Sequence, residues 1–171
     1  MTYFQTVTPS TLSRTAFIAA FGNIYEHSPW IAERVYDQGV DTHLDKITGL
    51  HERMSAVLMS ASLEEQMSLI KAHPDLAGKA ALQGELTASS TSEQAGAGLD
   101  QCTPHELARF THLNNAYKTR FGFPFIMAVK GSNRHLIIQA FEERLHHTPE
   151  QEFAHALSEI NRIALFRLQQ L

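Results

Sequence analysis

The 171-residue chain contains a single cysteine, Cys102, so it cannot form an internal disulfide bond. A reducing compartment is the natural setting for such a chain. No apolar run approaches the roughly 20 residues that a membrane helix requires. The first ten residues are polar and lack the basic stretch of a secretory signal. These absences predict a cytoplasmic protein that does not cross a membrane.

Basic charge is also scarce. Lys and Arg number 14 against 18 Asp and Glu, which gives a formal net charge of −4. No cluster of Lys and Arg provides a nucleic-acid footprint or a membrane-binding patch, so neither partner is expected. Hydrophobic residues make up 43% of the chain, enough for a folded core, and the length suits one domain spanning residues 1–171.

Several catalytic motifs are missing. The chain has no Gly-x-Ser-x-Gly nucleophile turn, and Gly96-Ala97-Gly98 lacks the lysine of a phosphate-binding loop. Ten histidines suggest a metal site, but His51-Glu52 and His105-Glu106 both lack a second histidine four positions after the first. The spacing therefore predicts no metal site and no nucleophilic triad.

The apolar residues recur at helical spacing almost throughout, and strict alternation is rare. We predict an all-α, single-domain helical bundle of about seven to nine helices with irregular insertions. Ser13 and Pro29 begin the first two helices, the third spans about 42–58, and another spans about 134–146. Four capping boxes, in which Ser or Thr is followed three residues later by Glu or Gln, predict further helix starts: Ser62–Glu65, Ser90–Glu93, Thr103–Glu106 and Thr148–Gln151.

Two stretches interrupt the helical pattern. The first spans 73–86 and contains Pro74, before which the preceding helix should end. The second spans 121–131 and is too apolar for an exposed loop. It predicts a buried extended segment, with one short strand as an option, whose backbone groups must find partners or bind a ligand. The structural alternative is a plug in the core.

Polar candidates lie near these stretches. His73 stands at a predicted helix end, where histidine usually serves as a cap and can also transfer protons. Glu93 and Gln94 follow a run of hydroxyl groups at a predicted helix start, which suits an anionic or carbonyl-rich ligand. Glu93 has a structural explanation as the capping partner of Ser90, whereas Gln94 has none.

Taken in order, three segments resemble the OHCU decarboxylases, the 2-oxo-4-hydroxy-4-carboxy-5-ureidoimidazoline decarboxylases of urate degradation. They are His73-Pro74-Asp75-Leu76-Ala77-Gly78-Lys79, the stretch 89–99 with Ser92-Glu93-Gln94 and Ala97-Gly98-Leu99, and Phe121-Gly122-Phe123-Pro124-Phe125-Ile126. The resemblance also includes Asn115-Ala116-Tyr117 and Phe166-Arg167-Leu168, and so covers most of the chain.

The resemblance implies an all-α homodimer without a cofactor that decarboxylates OHCU to (S)-allantoin. It implies that His73, Glu93 and Arg167 are catalytic. The positions that match the family's substrate contacts are Pro74, Ser90, Thr91, Ser92, Glu93, Gln94, Phe125, Ile126, Met127, Ala128 and Val129.

The chemistry is compatible with these residues. The substrate carries its own electron sink, a ring C=N beside the carbon that loses carbon dioxide, so no cofactor is demanded. Histidine can accept and donate protons near neutral pH, and arginine can bind a carboxylate with two donors. Two alternatives remain open: a lyase or hydrolase that acts on another small ureide, and a non-catalytic helical interaction module.

Overall fold

The computed structural model describes residues 2–171, and the side chains of all of these except Lys79 and Ala80. The described chain is all-α, as predicted, with nine α-helices. Its only strand-like feature in the described part is an isolated antiparallel bridge between Tyr3 and Lys46. None of the described helices is long and apolar enough to cross a membrane. The chain divides into two compact units.

The first unit comprises Met1–Ala72 and Ile160–Leu171. Its α-helices are α1 (Arg14–Phe21), α2 (Trp30–Asp37), α3 (Ile47–Ser60) and α4 (Leu63–Ala72), with short 3-10 helices at Pro9–Thr11 and Thr42–Asp45. Large apolar side chains that are essentially inaccessible to solvent form its core: Phe17, Phe21, Ile31, Leu44, Leu50, Met54 and Leu58.

The second unit comprises His73–Glu159. It contains α5 (Lys79–Leu82), α6 (Ala88–Gly96), α7 (Pro104–Phe121), α8 (Arg134–Arg144) and a 3-10 helix at Leu99–Gln101. The last helix, α9 (Pro149–Leu168), contributes residues to both units. Tyr117 is the centre of an aromatic core, with its ring 5.3 Å from that of Phe125, which stacks on Phe141.

Three of the four predicted capping boxes are confirmed. The hydroxyls of Ser62, Thr103 and Thr148 each accept a hydrogen bond from the backbone N–H three residues later. The carboxylate or amide at that later position accepts the return bond from the backbone of the capping residue. Ser13 likewise caps α1, as predicted. Helix α4 ends at Ala72, before Pro74.

The predicted capping box at Ser90–Glu93 is wrong. Helix α6 begins at Ala88, because the hydroxyl of Thr87 accepts a hydrogen bond from the Ser90 N–H and the Thr87 carbonyl accepts one from Thr91. Ser90 and Glu93 therefore lie inside the helix. The capping explanation for Glu93 no longer applies.

The predicted third helix is interrupted. Lys46 is extended, with φ −89° and ψ 136°, and the N–H of Ile47 bonds to the Thr2 carbonyl. The carboxylate of Asp45 accepts hydrogen bonds from the backbone N–H and the hydroxyl of Ser10, both at 2.7 Å. These contacts with the chain's beginning separate the 3-10 turn from α3, and periodicity within 42–58 could not predict them.

Two further boundaries differ from expectation. Helix α8 ends at Arg144 rather than near His146. The irregular stretch 73–86 includes the four-residue helix α5. The apolar segment after α7 is buried and non-helical, as predicted, but residues 122–131 form no strand.

Candidate active site

His73 follows directly after the last residue of α4 and is half-buried. The loop after it is held by three side chains of the second unit. Asn114 of α7 donates to the Leu76 carbonyl at 2.9 Å, and Lys118 of the same helix forms an ion pair with Asp75 at 2.7 Å. The third side chain is the amide of Gln94 on α6.

Gln94 uses both ends of its amide on this loop. Its Oε1 accepts a hydrogen bond from the Ala77 N–H at 3.0 Å, and its Nε2 donates to the Asp75 carbonyl at 3.3 Å. The side chain is 5% exposed. Because two backbone groups of the loop are paired with one buried amide, the loop that begins at His73 is attached directly to helix α6.

The backbone of this loop is unusual at its centre. Ala77 adopts a φ of +50°, a left-handed conformation that costs energy for a residue with a side chain. At Gly78, an added Cβ would come within 2.6 Å of the Asp75 Cβ. The loop conformation therefore depends on glycine at position 78 and on the Gln94 bonds that stabilise Ala77.

Helix α6 carries the predicted polar candidates on different faces. Ser90 and Gln94 are buried, Glu93 is half-buried, and Thr91 and Ser92 are exposed. Glu93 precedes Gln94, the residue that contacts the His73 loop. The structure thus brings the loop and the α6 candidates into one region of the second unit, and Thr91 and Ser92 lie on the solvent side of the helix.

The segment Phe125, Ile126, Met127, Ala128 and Val129 is buried except for the half-buried Met127. Side chains bind its backbone in place of a strand partner. The Ile126 carbonyl accepts a hydrogen bond from Arg144 Nη1 at 2.7 Å, and the Ala128 N–H donates to Glu159 at 3.4 Å. The Arg144 guanidinium also lies 4.2 Å from the centre of the Phe125 ring.

Arg144 is in turn paired with a carboxylate, Glu152, which is completely buried. Glu152 Oε1 accepts hydrogen bonds from Arg144 Nε at 2.8 Å and from the Tyr117 hydroxyl at 2.5 Å. Burial acts to raise the pKa of Glu152, but the bonds from Tyr117, Arg144 and His147 outweigh it and lower the pKa. Glu152 is therefore ionised, and its charge fixes the arginine that supports the apolar segment.

Arg167, the third expected catalytic residue, belongs to the first unit and is 7% exposed. Its Nη2 forms an ion pair with Glu26 at 2.9 Å, and its Nη1 donates to the Ile24 carbonyl at 3.2 Å. Glu26 is 2% exposed, and its neighbour His27 adopts a φ of +46°. The guanidinium is thus fixed in orientation by a buried carboxylate.

Comparison with known proteins identifies the family. The family model described as OHCU decarboxylase matches residues 10–169. The chain belongs to the OHCU decarboxylase family. The 2-oxo-4-hydroxy-4-carboxy-5-ureidoimidazoline decarboxylases of Halalkalicoccus jeotgali and Haloferax volcanii are both 42% identical to it, over 91% and 92% of this chain and 84% and 89% of theirs.

A solved structure extends the similarity to three dimensions. A crystal structure of (S)-allantoin synthase superposes with a TM-score of 0.74 at 32% identity, covering 95% of this chain. This chain spans about half, 52%, of that longer protein. The fold expected from the resemblance to OHCU decarboxylases is therefore confirmed.

Sequence reasoning missed several residues that organise this member of the OHCU decarboxylase family. Glu26, Asn114, Arg144 and Glu152 are buried polar side chains that each have a partner at least 18 positions away. The sequence shows Glu152 in the first turn of α9, but its partners could not be assigned from spacing. Cys102 is half-buried and its pKa is raised, chiefly by burial, so the thiol is not activated.

Proposed function

We propose that this protein catalyses the cofactor-free decarboxylation of OHCU to (S)-allantoin in urate degradation, as a carboxy-lyase. The family match over residues 10–169 supports this reaction class. The attachment of the His73 loop to α6, through both ends of the Gln94 amide, supports the assignment of the reaction to this site. A non-catalytic helical module has no need for this arrangement.

The reaction requires one bond to break and protons to be relocated. The bond from the hydroxyl-bearing carbon to the carboxylate breaks, and its electron pair forms a double bond to the ureido-bearing carbon. The former C=N pair then resides on the ring nitrogen, which takes a proton. The hydroxyl subsequently releases its proton as the carbonyl forms, and the ureido-bearing carbon receives a proton on one face. The net change is the uptake of one proton and the loss of carbon dioxide.

In this proposal His73 handles the proton of the hydroxyl, because an imidazole can both accept and donate near neutral pH. Glu93 orients the imidazole or the hydroxyl. Arg167 binds a carboxylate or a ring oxygen, and its pairing with Glu26 holds the guanidinium in a fixed orientation. Fixed geometry of this kind supplies most of the acceleration expected of an enzyme without a cofactor.

The remaining expected residues bind the substrate in this proposal. Pro74 follows His73 in the loop, and Ser90, Thr91, Ser92 and Gln94 belong to α6, which contacts this loop through Gln94. The segment Phe125, Ile126, Met127, Ala128 and Val129 provides an apolar wall with backbone groups for the ring amides. Gln94 serves mainly through the loop, because its amide is already bonded to Asp75 and Ala77.

The test is a time course with freshly generated OHCU, in which optical rotation identifies the enantiomer of allantoin. We expect the wild-type protein to give (S)-allantoin faster than the spontaneous reaction, and His73→Ala to give no more than the spontaneous rate with an unchanged helical circular dichroism spectrum. His105→Ala removes an exposed histidine on α7 and should behave as wild type. Turnover retained by His73→Ala contradicts the assignment.

We also propose that the protein is a cytoplasmic homodimer, as the family resemblance implies. Light scattering during gel filtration should give twice the mass of one chain. A mass of one chain at micromolar concentration contradicts the dimer and leaves the proposed reaction unaffected.

A further inference from the structure

Three side chains around the start of α9 hold nitrogen and oxygen atoms that could bind a metal ion close to one another. Glu152 Oε2 lies 2.9 Å from His147 Nδ1 and 3.7 Å from His155 Nδ1, and the three atoms lie within 4.8 Å of one another. An ion bound about 2.0–2.2 Å from each donor in tetrahedral geometry requires donors roughly 3.3–3.6 Å apart. The two observed distances from Glu152 Oε2 lie on either side of that donor–donor spacing.

The backbone that carries these donors is fixed by local bonds. The capping box of Thr148 and Gln151 sets the entry into α9 immediately after His147. Arg120 donates to the His147 carbonyl at 2.8 Å and holds the preceding turn. Glu152 and His155 are three residues apart on one helix, so their side chains share a face. The backbone that carries the three side chains is therefore held in place by the protein itself.

Glu152 is oriented by groups behind it. Tyr117 and Arg144 bind its Oε1, which leaves Oε2 directed toward the two histidines. Metal-binding carboxylates characteristically have such an outer layer of hydrogen bonds. The Glu152 side chain is 0% exposed, whereas those of His147 and His155 are 42% and 40% exposed. An ion can thus enter from solvent and retain water at its open positions.

We propose that His147, Glu152 and His155 form a binding site for a transition-metal ion of the Zn²⁺ class. Two imidazoles and one carboxylate suit Zn²⁺, whereas Mg²⁺ and Ca²⁺ prefer oxygen ligands alone. None of the three residues is among those proposed to bind or convert the substrate. The bound ion connects the turn before α9 to the second turn of that helix, so its expected effect is on stability. The nearby Arg144 cation, which is paired with Glu152, repels a bound cation and weakens its binding.

The test uses the full-length, untagged protein after treatment with chelator and its removal. Calorimetric titration with Zn²⁺ should show one site per chain, and Co²⁺ should give the visible absorption of a four-coordinate ion. His147→Ala and His155→Ala should each weaken binding about tenfold or more, as loss of a ligand demands. His146→Ala removes the exposed neighbour of His147 and should bind as wild type.

Thermal unfolding provides a second measurement. Zn²⁺ should raise the unfolding midpoint of the wild-type protein and of His146→Ala, and should leave that of His155→Ala unchanged. The proposal is wrong if the wild-type protein binds no Zn²⁺ at micromolar concentration, if both ligand variants bind as tightly as wild type, or if His146→Ala loses as much affinity as they do. Because turnover is not measured, the result is independent of the proposed function.

Discussion

At the scale of single residues, the substitutions expected to destabilise the protein most are those at buried charged residues. Glu26 and Glu152 are both nearly inaccessible to solvent, and each is paired with a buried arginine, Arg167 and Arg144 respectively. An ionised group that loses its partner in such a place is left with an uncompensated desolvation cost. Substitution of one partner should therefore be far more damaging here than in an exposed pair such as Arg14–Asp37.

Glu26→Ala should lower the free energy of unfolding by about 3 kcal/mol or more, because Arg167 remains buried without its carboxylate. Chemical denaturation followed by circular dichroism measures the change. Asp37→Ala, which breaks the exposed pair with Arg14, should leave the midpoint essentially unchanged. Equal shifts in the two variants indicate that the Glu26 pair contributes no more than a surface contact.

A substitution at Arg167 tests whether the planar guanidinium with its several donors is needed to bind the substrate. Arg167→Lys keeps the positive charge but replaces a planar group with several donors by a single ammonium. If Arg167 binds the substrate as proposed, KM should rise much more than kcat falls. Steady-state kinetics on OHCU measures both constants. Unchanged KM and kcat indicate that Arg167 only serves the pair with Glu26.

At the scale of elements, hydrogen bonds within a few residues determine where a helix starts. Contacts with other elements determine where that helix packs. The first turn of α4 shows both. Glu65 accepts hydrogen bonds from the backbone and hydroxyl of Ser62 and forms an ion pair with Arg34 of α2. These contacts lower the pKa of Glu65 from 4.5 to about 2, with the Arg34 bond as the largest cause.

Because the pKa of Glu65 is lower in the folded state, its contribution to stability is present above pH 4.5 and is lost as the pH falls toward 2. We expect Glu65→Gln, which keeps a capping partner but removes the charge, to be less stable than wild type at pH 7 and closer to it near pH 2. Thermal midpoints across this range measure the difference. Glu64→Gln on the same turn controls for the general effect of charge, and a difference that is constant with pH contradicts the assignment.

Gln94 connects two elements, so its loss should affect the reaction without direct contact with the substrate. Gln94→Met keeps the volume but leaves the Ala77 N–H and the Asp75 carbonyl without their partner. Displacement of the His73 loop should lower kcat on the order of 10- to 100-fold. Gln101→Met replaces an exposed glutamine and should behave as wild type. A change confined to KM favours direct binding of the substrate by Gln94.

At the scale of the whole molecule, the division into two compact units raises the question of whether the chain unfolds as one domain. Helix α9 contributes residues to both units, so unfolding of one removes part of a helix that the other requires. We therefore expect one cooperative transition. Trp30, the single tryptophan, lies in the first unit and reports on it alone, whereas far-UV circular dichroism reports on the helices of both. Coincident denaturation curves support one domain, and separated curves contradict it.

The amino-acid sequence alone determined the fold class and most helix starts. A capping side chain and its backbone partner lie within three residues of each other, so the sequence can predict the cap. This is the case at Ser13, Ser62, Thr103 and Thr148. The same rule gives the wrong start for α6, because Thr87 rather than Ser90 is its N-cap. The residues expected at the site are implied by the resemblance of three motifs to the family and remain proposals.

Only the tertiary structure decided which polar groups meet. Glu26 and Arg167 are 141 positions apart, and Gln94 reaches a loop 17 and 19 positions before it. The break at Lys46 depends on contacts with Thr2 and Tyr3. A charged group or an amide that is removed from water is costly unless it forms a hydrogen bond or an ion pair. Its partner can come from any part of the chain that the fold brings close. Hydrophobic periodicity fixes which face of a helix is buried, but it carries no information about which distant polar group lies opposite.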